Sequence, residues 1–378
     1  MEIDRISPSE AYARQARGAV LIDVRQAHER AAGHAAGSRG IELSTLRAEP
    51  LDHLPDLAAE VMLICQTSTR SIVAAQELHH AGYAHVSSVV GGTEGWIAAG
   101  LPLEHPVLQA DDEDFNERYS RHLLLPELGA QGQRRLEASS VLIVGAGGLG
   151  SPAALYLAAA GVGHLRLVDD DRVERSNLQR QVLHTDARVG TTKVDSASAS
   201  LSALNPRTRI ETLVERATSA DVERLLEGID VVVDGADNFA TRYLLNDACV
   251  ALGKPLVYGA VQRFEGQVSV FDAGRSRGHA PCYRCLFPQP PSAGSAPSCA
   301  EAGVLGVVPG VIGMLQATEA IKLLLGLGES LAGRLLHFEA LGMRFRETRL
   351  RADPECAVCA PGLAFPGFVD YEAFCSGR

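Results

Sequence analysis

The sequence predicts an α/β protein in which a small α/β domain precedes a larger, doubly wound one. Short apolar runs alternate with segments of helical composition along most of the chain. In the larger part the runs occur at 141–144, 165–168, 209–214, 230–234 and 255–258. Buried parallel strands joined by helices give this pattern, so we expect a mainly parallel sheet with helices on both faces. The segments near 266–272 and 333–350 are expected to extend that sheet as antiparallel strands.

The first part of the chain, residues 1–105, has the same alternation on a smaller scale. Predicted strands lie at 19–22, 61–64 and 86–90, and a predicted helix spans 71–81. An acidic linker is expected at 106–117, because residues 111–114 read DDED. The larger domain then covers 118–360, and the tail at 361–378 is too short to form a domain.

Composition narrows the class of protein. The chain has 378 residues, of which 46% are hydrophobic and 21% charged, as expected of a globular protein with real cores. We find no stretch of membrane-spanning apolar length and no signal peptide, so we expect a cytoplasmic protein with no membrane partner. The net charge of −11 argues against nonspecific nucleic-acid binding. Without export signals, the eight cysteines indicate metal ligands and reactive thiols rather than disulfides.

A glycine-rich turn follows the strand at 141–144. Its glycines are followed at once by Ser151-Pro152, which opens an alanine- and leucine-rich helix; they are Gly145, Gly147, Gly148 and Gly150. Strand, glycine turn and helix N-terminus form a phosphate cradle, in which free N–H groups and the helix dipole face the anion. Asp169 ends the next strand 19 positions after Gly150, where a carboxylate can hold ribose hydroxyls.

The residues after Asp169 indicate whether the site binds a dinucleotide or a nucleoside triphosphate. A dinucleotide needs little beyond the glycine turn, whereas a triphosphate carries more charge and requires arginine and lysine. Asn177, Arg180 and Lys193 follow the acidic strand end. Each of these cations taken alone could be an ordinary surface charge. Together they favour a triphosphate over NAD.

Several motifs in one order resemble the bacterial ubiquitin-activating-like adenylyltransferases of the MoeB and ThiF type. The resemblance covers roughly 114–360, and its motifs are GxGGLGS, DxDxV, SNLQRQ, VGxxK, RYSRH at 118–122, DGADN at 234–238, PCYRC at 281–285, SCAEAGV at 298–304 and CAVC at 356–359. It implies adenylation, by ATP, of the C-terminal Gly-Gly carboxylate of a small ubiquitin-like sulfur carrier. It also implies phosphate contacts from Asn177, Arg180 and Lys193, and nucleotide contacts from Asp169, Asp171, Asp237 and Asn238. Asp237 would bind Mg²⁺, and Arg121 would reach the ATP of a second subunit, which implies a homodimer.

Cys65 ends the strand at 61–64 and begins the loop CQTSTRS before a predicted helix. Backbone N–H groups, a helix N-terminus and Arg70 would stabilise a thiolate or persulfide there. A buried structural cysteine is the simpler alternative, but the next five residues are polar, so we expect the thiol to open toward solvent. LIDVRQAHE, GHAAG, this loop and GGTEGW resemble rhodanese domains, which carry sulfane sulfur on the loop cysteine; Ala36 replaces the proline that is usual in that family.

Two CxxC pairs predict a metal site. Cys282, Cys285, Cys356 and Cys359 can supply four thiolates to one ion, which suits a structural zinc with no open catalytic position. A redox or disulfide pair is the alternative. The 70 residues between the pairs exceed a usual zinc-finger gap, so the fold must bring them together.

Cys299 has no CxxC partner and follows a Pro/Ser/Gly-rich loop at 289–298. The family resemblance gives it a possible covalent role beside Cys65, whose persulfide would be filled by a donor such as a cysteine desulfurase. The likeness leans toward molybdopterin synthesis, with thiamine, cysteine and tRNA-thiolation pathways as alternatives. An NAD-dependent oxidoreductase and a non-catalytic zinc scaffold are alternatives of a different class. In known fusions of this kind the rhodanese domain usually comes last, whereas here it comes first.

Overall fold

The structure, a computed structural model, describes residues 3–31, 33–104, 110–290 and 303–369, and divides the chain into two compact units, Met1–Leu123 and Leu124–Arg378. We describe each unit separately. The division falls a few residues beyond the predicted linker, because the helices α7 (Ala110–Arg118) and α8 (Ser120–Leu123) group with the first unit.

The first unit is built around a five-stranded, all-parallel sheet in the order β1-β6-β5-β2-β4. Its strands are β1 (Asp4–Ile6), β2 (Val20–Asp23), β4 (Arg39–Gly40), β5 (Glu60–Ile64) and β6 (His85–Val89). The short strands β3 (His34–Ala35) and β7 (Leu103–Glu104) pair antiparallel beside it. Its other helices are α1 (Pro8–Gln15), α2 (Ala27–Ala31), α3 (Leu43–Ala48), α4 (Pro50–His53), α5 (Thr69–His80) and α6 (Gly92–Ala98).

Alternate residues of the strands in this unit face two separate cores. Leu63 of β5 packs with Ala74 and Leu78 of α5, whereas Met62 of the same strand packs with Trp96 of α6. Successive side chains of a strand point to opposite faces, so a fully apolar strand is buried on both. The apolar run predicted at 61–64 is therefore a central strand.

The second unit contains an eight-stranded sheet in the order β10-β9-β8-β11-β12-β13-β14-β15. The strands β8 (Ser140–Val144), β9 (His164–Val168), β10 (Arg209–Leu213), β11 (Val231–Asp234) and β12 (Leu256–Gln262) are parallel. The strands β13 (Glu265–Phe271), β14 (Arg334–Glu339) and β15 (Arg344–Arg349) continue the sheet antiparallel, as predicted. The strand order turns at β8, whose neighbours are β9 and β11; in such sheets, ligands bind at the carboxyl ends of the strands beside this switch point.

Helices cover both faces of this sheet, which confirms the doubly wound class. The helices of the second unit are α9 (Gly129–Glu137), α10 (Gly150–Ala160), α11 (Lys193–Leu204), α12 (Val222–Leu226), α13 (Phe239–Leu252), α14 (Tyr283–Leu286) and α15 (Val307–Leu325), with 3₁₀ turns at Arg175–Asn177 and Asp186–Arg188. Ile143 of β8 packs in a core with α10 and α15, and its neighbour Leu142 packs in the opposite core with α12 and α13. Helix ends follow local sequence: the Thr192 hydroxyl accepts a bond from Asp195 N and begins α11, while Gly161 in the left-handed region ends α10.

Among the described residues, one helix is long and apolar enough to cross a membrane by length and composition, contrary to the expectation from sequence. This helix is α15, and half of its most apolar window is buried within the protein. Val308, Ile312, Ala317 and Ala320 of α15 belong to the core against the sheet. Its apolar composition therefore has a packing explanation.

Candidate active site

The glycine turn connects β8 to α10 at the carboxyl end of the parallel strands. Gly150, the first residue of α10, lies against the turn that it follows: a Cβ there would stand 1.8 Å from the carbonyl oxygen of Gly145. Any side chain would force this turn open. The close approach brings the N-terminus of α10 to the switch point of the sheet, where free N–H groups favour an anion.

The acidic end of β9 is held firmly beside the turn. Asp169 accepts hydrogen bonds from Ala146 N at 2.8 Å and Asp171 N at 2.9 Å. Lys193, at the start of α11, lies with its Nζ 2.7 Å from Asp171 Oδ2 and 3.8 Å from Asp169 Oδ2. Burial raises the pKa of Asp169, although the nearby Lys193 cation opposes this effect. A carboxylate and a buried cation are thus fixed next to the glycine turn.

Arg180 also lies against the glycine turn, with its Cγ 3.5 Å from the Cβ position of Gly148, and is oriented by a neighbour. Its Nη2 donates to Asn177 Oδ1 at 3.0 Å. Asn177 does not line the cavity described below but orients Arg180, which does, and its phosphate contact stays a prediction.

The motif at 234–238 follows β11. Asp234 is fully buried and pairs with Arg242 Nε at 2.9 Å; burial raises the pKa of Asp234, and Arg242 opposes that shift. Asp237 is exposed at the start of the next turn. Asn238 caps α13, because its Oδ1 accepts a bond from Thr241 N at 2.9 Å. Asn238 therefore has a structural role in addition to its predicted contact with the nucleotide.

These groups surround one cavity of about 640 Å³, a volume within the range of small-molecule sites. Nine of the predicted residues line it, namely Gly145, Gly147, Gly148, Asp169, Asp171, Arg180, Lys193, Asp237 and Asn238. Gly150 lies behind the turn, and Arg121 is an exposed residue of α8 in the first unit.

Sequence reasoning missed several cavity residues. Gln181, Arg242, Tyr258, Tyr283 and Phe287 also line the wall. Gln181 stands in SNLQRQ and Tyr283 in PCYRC, which offered a signal, whereas Arg242, Tyr258 and Phe287 lie outside the motifs. Arg242 also donates to the carbonyl oxygens of Ala236 and Gly259, so it holds the turn before Asp237.

Cys65 ends β5 and lies under the N-terminus of α5. Its Sγ accepts hydrogen bonds from Ser68 N at 3.2 Å and Ser71 N at 3.4 Å. Ser68 has φ +92°, a left-handed conformation that turns its N–H inward. The predicted cradle of N–H groups is present.

The expectation that this thiol opens toward solvent is wrong, because Cys65 is only 1% exposed. The polar loop residues turn their backbone toward the sulfur rather than away from it. Arg70 forms a bidentate pair with Glu29, with distances of 2.7 and 2.6 Å, and its side chain remains partly exposed. The hydrogen bond to Glu29 raises the pKa of Arg70, so the charge persists near the loop.

Two residues of LIDVRQAHE, for which the sequence predicted no role, support the Cys65 loop. Arg25 and Asp23 form a buried ion pair at 2.7 Å, and Arg25 Nη1 donates to Gln66 Oε1 at 3.1 Å. The loop is therefore tied to the end of β2.

The fold brings the two CxxC pairs together. The Sγ atoms of Cys282 and Cys356 lie 3.6 Å apart, those of Cys285 and Cys359 3.4 Å, and those of Cys282 and Cys285 4.0 Å. All four sulfurs lie within 4.8 Å of one another. Four sulfurs each about 2.3 Å from a central zinc would be about 3.8 Å apart. The set fits a tetrahedral thiolate site.

Some predictions fall outside the described residues. Cys299 and most of the predicted loop at 289–298 lie within 291–302, and the last nine residues of the tail lie beyond 369.

Comparisons with known proteins agree with this division of the chain. A model described as the ThiF family matches residues 119–358, and a model described as a rhodanese-like domain matches residues 7–99. A sulfur carrier protein adenylyltransferase of Thermus thermophilus is 53% identical over 263 residues, which cover 69% of this chain and 97% of the relative. A SAMP-activating enzyme E1 of Haloferax volcanii is 54% identical over 246 residues, covering 65% of this chain and 89% of the relative.

Longer relatives and solved structures also match. An adenylyltransferase and sulfurtransferase MOCS3 of Sus scrofa is 53% identical over 275 residues, covering 72% of this chain but 59% of the relative. The crystal structure of E. coli MccB aligns with TM-score 0.58 at 20% identity, covering 77% of this chain and 84% of that one, which shows the fold alone. With a family model that matches most of the chain and a relative matched over nearly its whole length, this chain belongs to the ThiF family and carries a rhodanese-like domain at its N-terminus.

Proposed function

We propose that this chain uses ATP to adenylate the C-terminal carboxylate of a small ubiquitin-like sulfur carrier, and that Cys65 then supplies the sulfur for a thiocarboxylate. The observation that carries the proposal is the cavity in which the glycine turn, Asp169, Arg180 and Lys193 converge. The printed names of the relatives, which include a sulfur carrier adenylyltransferase and an adenylyltransferase and sulfurtransferase, support the same pair of reactions.

Adenylation needs alignment and charge neutralisation more than covalent help. A carrier carboxylate oxygen bonds to the α-phosphorus of ATP, and the bond from that phosphorus to pyrophosphate breaks. Arg180 and Lys193 would neutralise the phosphate oxygens, and Asp169 would hold the ribose hydroxyls. The glycine turn would bind phosphate through backbone N–H groups.

The residues present fit two metal ions of different chemistry. Asp237 offers an exposed carboxylate oxygen, the kind of ligand that Mg²⁺ takes beside nucleotide phosphates. The four sulfurs of Cys282, Cys285, Cys356 and Cys359 fit Zn²⁺, which would crosslink the chain and leave no open position for chemistry.

Sulfur transfer begins with a persulfide on Cys65, which the N–H groups of Ser68 and Ser71 would stabilise. The terminal sulfur attacks the acyl carbon of the adenylate; a C–S bond forms and AMP leaves with the C–O electron pair. A second thiolate, for which we propose Cys299, then attacks Sγ of Cys65 and expels the thiocarboxylate. This leaves a disulfide, which a cellular dithiol must reduce.

The partners follow from the chemistry. The carrier ends in Gly-Gly, and a persulfide donor such as a cysteine desulfurase refills Cys65. We propose a cytoplasmic homodimer in which Arg121 of one subunit reaches the nucleotide of the other. Molybdopterin synthesis remains our preferred pathway for this chain.

The decisive experiment measures two reactions on the same variants. With a Gly-Gly carrier, the wild-type chain should catalyse ATP–pyrophosphate exchange and form thiocarboxylate. Cys65→Ser should retain exchange and lose thiocarboxylate, whereas Lys193→Met should lose both. Cys249→Ser, at a buried thiol of α13, is the matched control and should retain both.

Three results would contradict the proposal. Loss of exchange in Cys65→Ser would disprove the division between the two sites. Stabilisation by NADH rather than by ATP with Mg²⁺ would favour an oxidoreductase. Absence of pyrophosphate release with any carrier would favour a scaffold.

A further inference from the structure

Gln181 is a buried side chain on the cavity wall whose amide no described residue of the protein binds. It follows the 3₁₀ turn and is 3% exposed. Its Oε1 is enclosed without a hydrogen-bond partner, as is the Oε1 of Gln316, but its Nε2, unlike that of Gln316, donates to none of the described residues. An Nε2 donor on a cavity wall that donates to none of the described residues is available to a ligand in that cavity.

Two other buried glutamines show what a structural role looks like in this protein. Gln133 Nε2 donates to the carbonyl of Ala160 at 2.8 Å. Gln316 Nε2 donates to the carbonyls of Asp234 and Val257 at 2.7 and 3.1 Å. Both amides tie backbone segments together, whereas the Gln181 amide ties none of the described segments.

The position of the amide specifies the chemistry of its ligand. Gln181 Nε2 would lie 3.6 Å from a Cβ on Gly147, and nothing else stands within 4 Å of that point. The space in front of the amide is therefore the space that the absent side chain of Gly147 leaves free in the glycine turn. Arg180 precedes Gln181 and lines the same cavity. A donor beside the turn and next to an arginine suits an oxyanion.

We infer that Gln181 is a phosphate-binding residue, whose Nε2 donates a hydrogen bond to the phosphate chain of a nucleotide held at the glycine turn. This inference rests on the proposed function and adds to it a phosphate contact from an uncharged side chain. An amide carries no net charge. Gln181 would therefore position a phosphate without disturbing the ion pair between Lys193 and Asp171.

The test compares nucleotide binding and stability in the full-length chain. Gln181→Met keeps the size of the side chain and removes the donor, Gln181→Glu places a carboxylate beside the phosphates, and Gln133→Met is the control. Calorimetric titration with ATP, AMP and adenosine, each with Mg²⁺, gives the affinities, and thermal melting gives the stability.

For Gln181→Met we expect ATP affinity to fall about 10-fold or more, the typical effect of losing a hydrogen bond to a charged group. Gln181→Glu should lose more, and adenosine affinity should change less than about two-fold in both, since adenosine lacks the charged phosphates. The melting temperature of Gln181→Met should not fall, because no hydrogen bond to a described residue is lost, whereas Gln133→Met should melt earlier and bind ATP normally.

Equal ATP affinity in wild type and Gln181→Met would overturn the inference and leave the proposed function standing. Equal losses for ATP and adenosine would also overturn it, because they would indicate a collapsed cavity. If the wild-type chain bound no ATP, the proposed function would fail and this inference with it.

Discussion

Replacing Gly92 by alanine tests whether the shape of the Cys65 loop, and not the thiol alone, holds sulfur. Gly92 is the first residue of α6 and has φ +58°. A Cβ at this position would lie 2.2 Å from the carbonyl oxygen of Cys65 and 2.6 Å from backbone atoms of Gln66. Backbone atoms cannot move aside as a flexible side chain can, so the loop itself must shift. Gly82, with φ +100° and nothing within 4 Å of its Cβ position, is the matched control.

The two substitutions share one energetic cost and differ in another. Alanine in the left-handed region costs roughly 1–2 kcal/mol at either position. Only Gly92→Ala adds overpacking, which typically costs about 1–3 kcal/mol. The N–H groups of Ser68 and Ser71 already lie 3.2 and 3.4 Å from Cys65 Sγ, so a shift of a few tenths of an ångström weakens both bonds. We therefore expect Gly92→Ala to bind at least about 10-fold less cyanide-labile sulfur than Gly82→Ala.

The assay loads each protein with thiosulfate and measures thiocyanate released by cyanide. Thermal melting reports the shared strain, and carrier-dependent ATP–pyrophosphate exchange reports the second unit. Both variants should retain exchange, because the glycines lie in the first unit. If Gly92→Ala held as much labile sulfur as Gly82→Ala, the N–H cradle would not be what stabilises the persulfide.

Three further predictions concern the second unit. Cys356→Ser should lose bound zinc, measured by metal analysis after gel filtration, and should melt earlier, whereas Cys249→Ser should keep the metal. Burial raises the pKa of Asp169. As the solution is acidified, protonation of Asp169 and the resulting loss of ATP affinity should therefore begin at a higher pH than for an ordinary carboxylate. Calorimetric titrations across pH measure this loss, and Asp169→Asn should remove it. Arg242→Met leaves the Asp234 carboxylate buried without its cation and should cost about 3–5 kcal/mol in chemical denaturation, part of which a second change, Asp234→Asn, should restore. If the double variant lost as much unfolding free energy as Arg242→Met alone, the ion pair would not be what stabilises this turn.

The central strands of both units were predictable because their apolar runs are short and continuous, whereas the short strands β1, β3, β4 and β7 were not predicted. In β8, Leu142 and Ile143 face opposite cores, so the strand needs apolar residues throughout. That requirement is visible in sequence without knowledge of the partners.

The burial of Cys65 was not predictable from polarity. The five residues after it are polar, which favours an exposed loop, yet Ser68 adopts a left-handed conformation and turns its N–H toward the sulfur. The helix α5 that begins there has free N–H groups that need an acceptor, and the thiol provides one. A property of the backbone thus decided the environment of a side chain.

The cavity residues illustrate a second limit. Asn177 and Asn238 stand in motifs and are predicted at the nucleotide; Asn177 accepts a bond from Arg180 and does not line the cavity, whereas Asn238 lines the cavity and also caps α13. Gln181 stands in the same motif as Asn177 and gave no separate signal, although it borders the cavity. Spacing identifies which segments approach the ligand, whereas the direction of each side chain depends on its local hydrogen bonds.

The four cysteines are connected to the cavity through Tyr283, one of the two residues between the first pair. Tyr283 lies between Cys282 and Cys285 and lines the cavity. Its backbone N donates to Asn246 Oδ1 of α13 at 2.7 Å, and its ring packs 5.4 Å from the ring of Tyr258 on the cavity wall. An ion bound by the four sulfurs would thus fix the ends of a short segment whose Tyr283 forms part of the cavity wall. A metal site with no open position for chemistry would therefore still shape the pocket that we propose for adenylation.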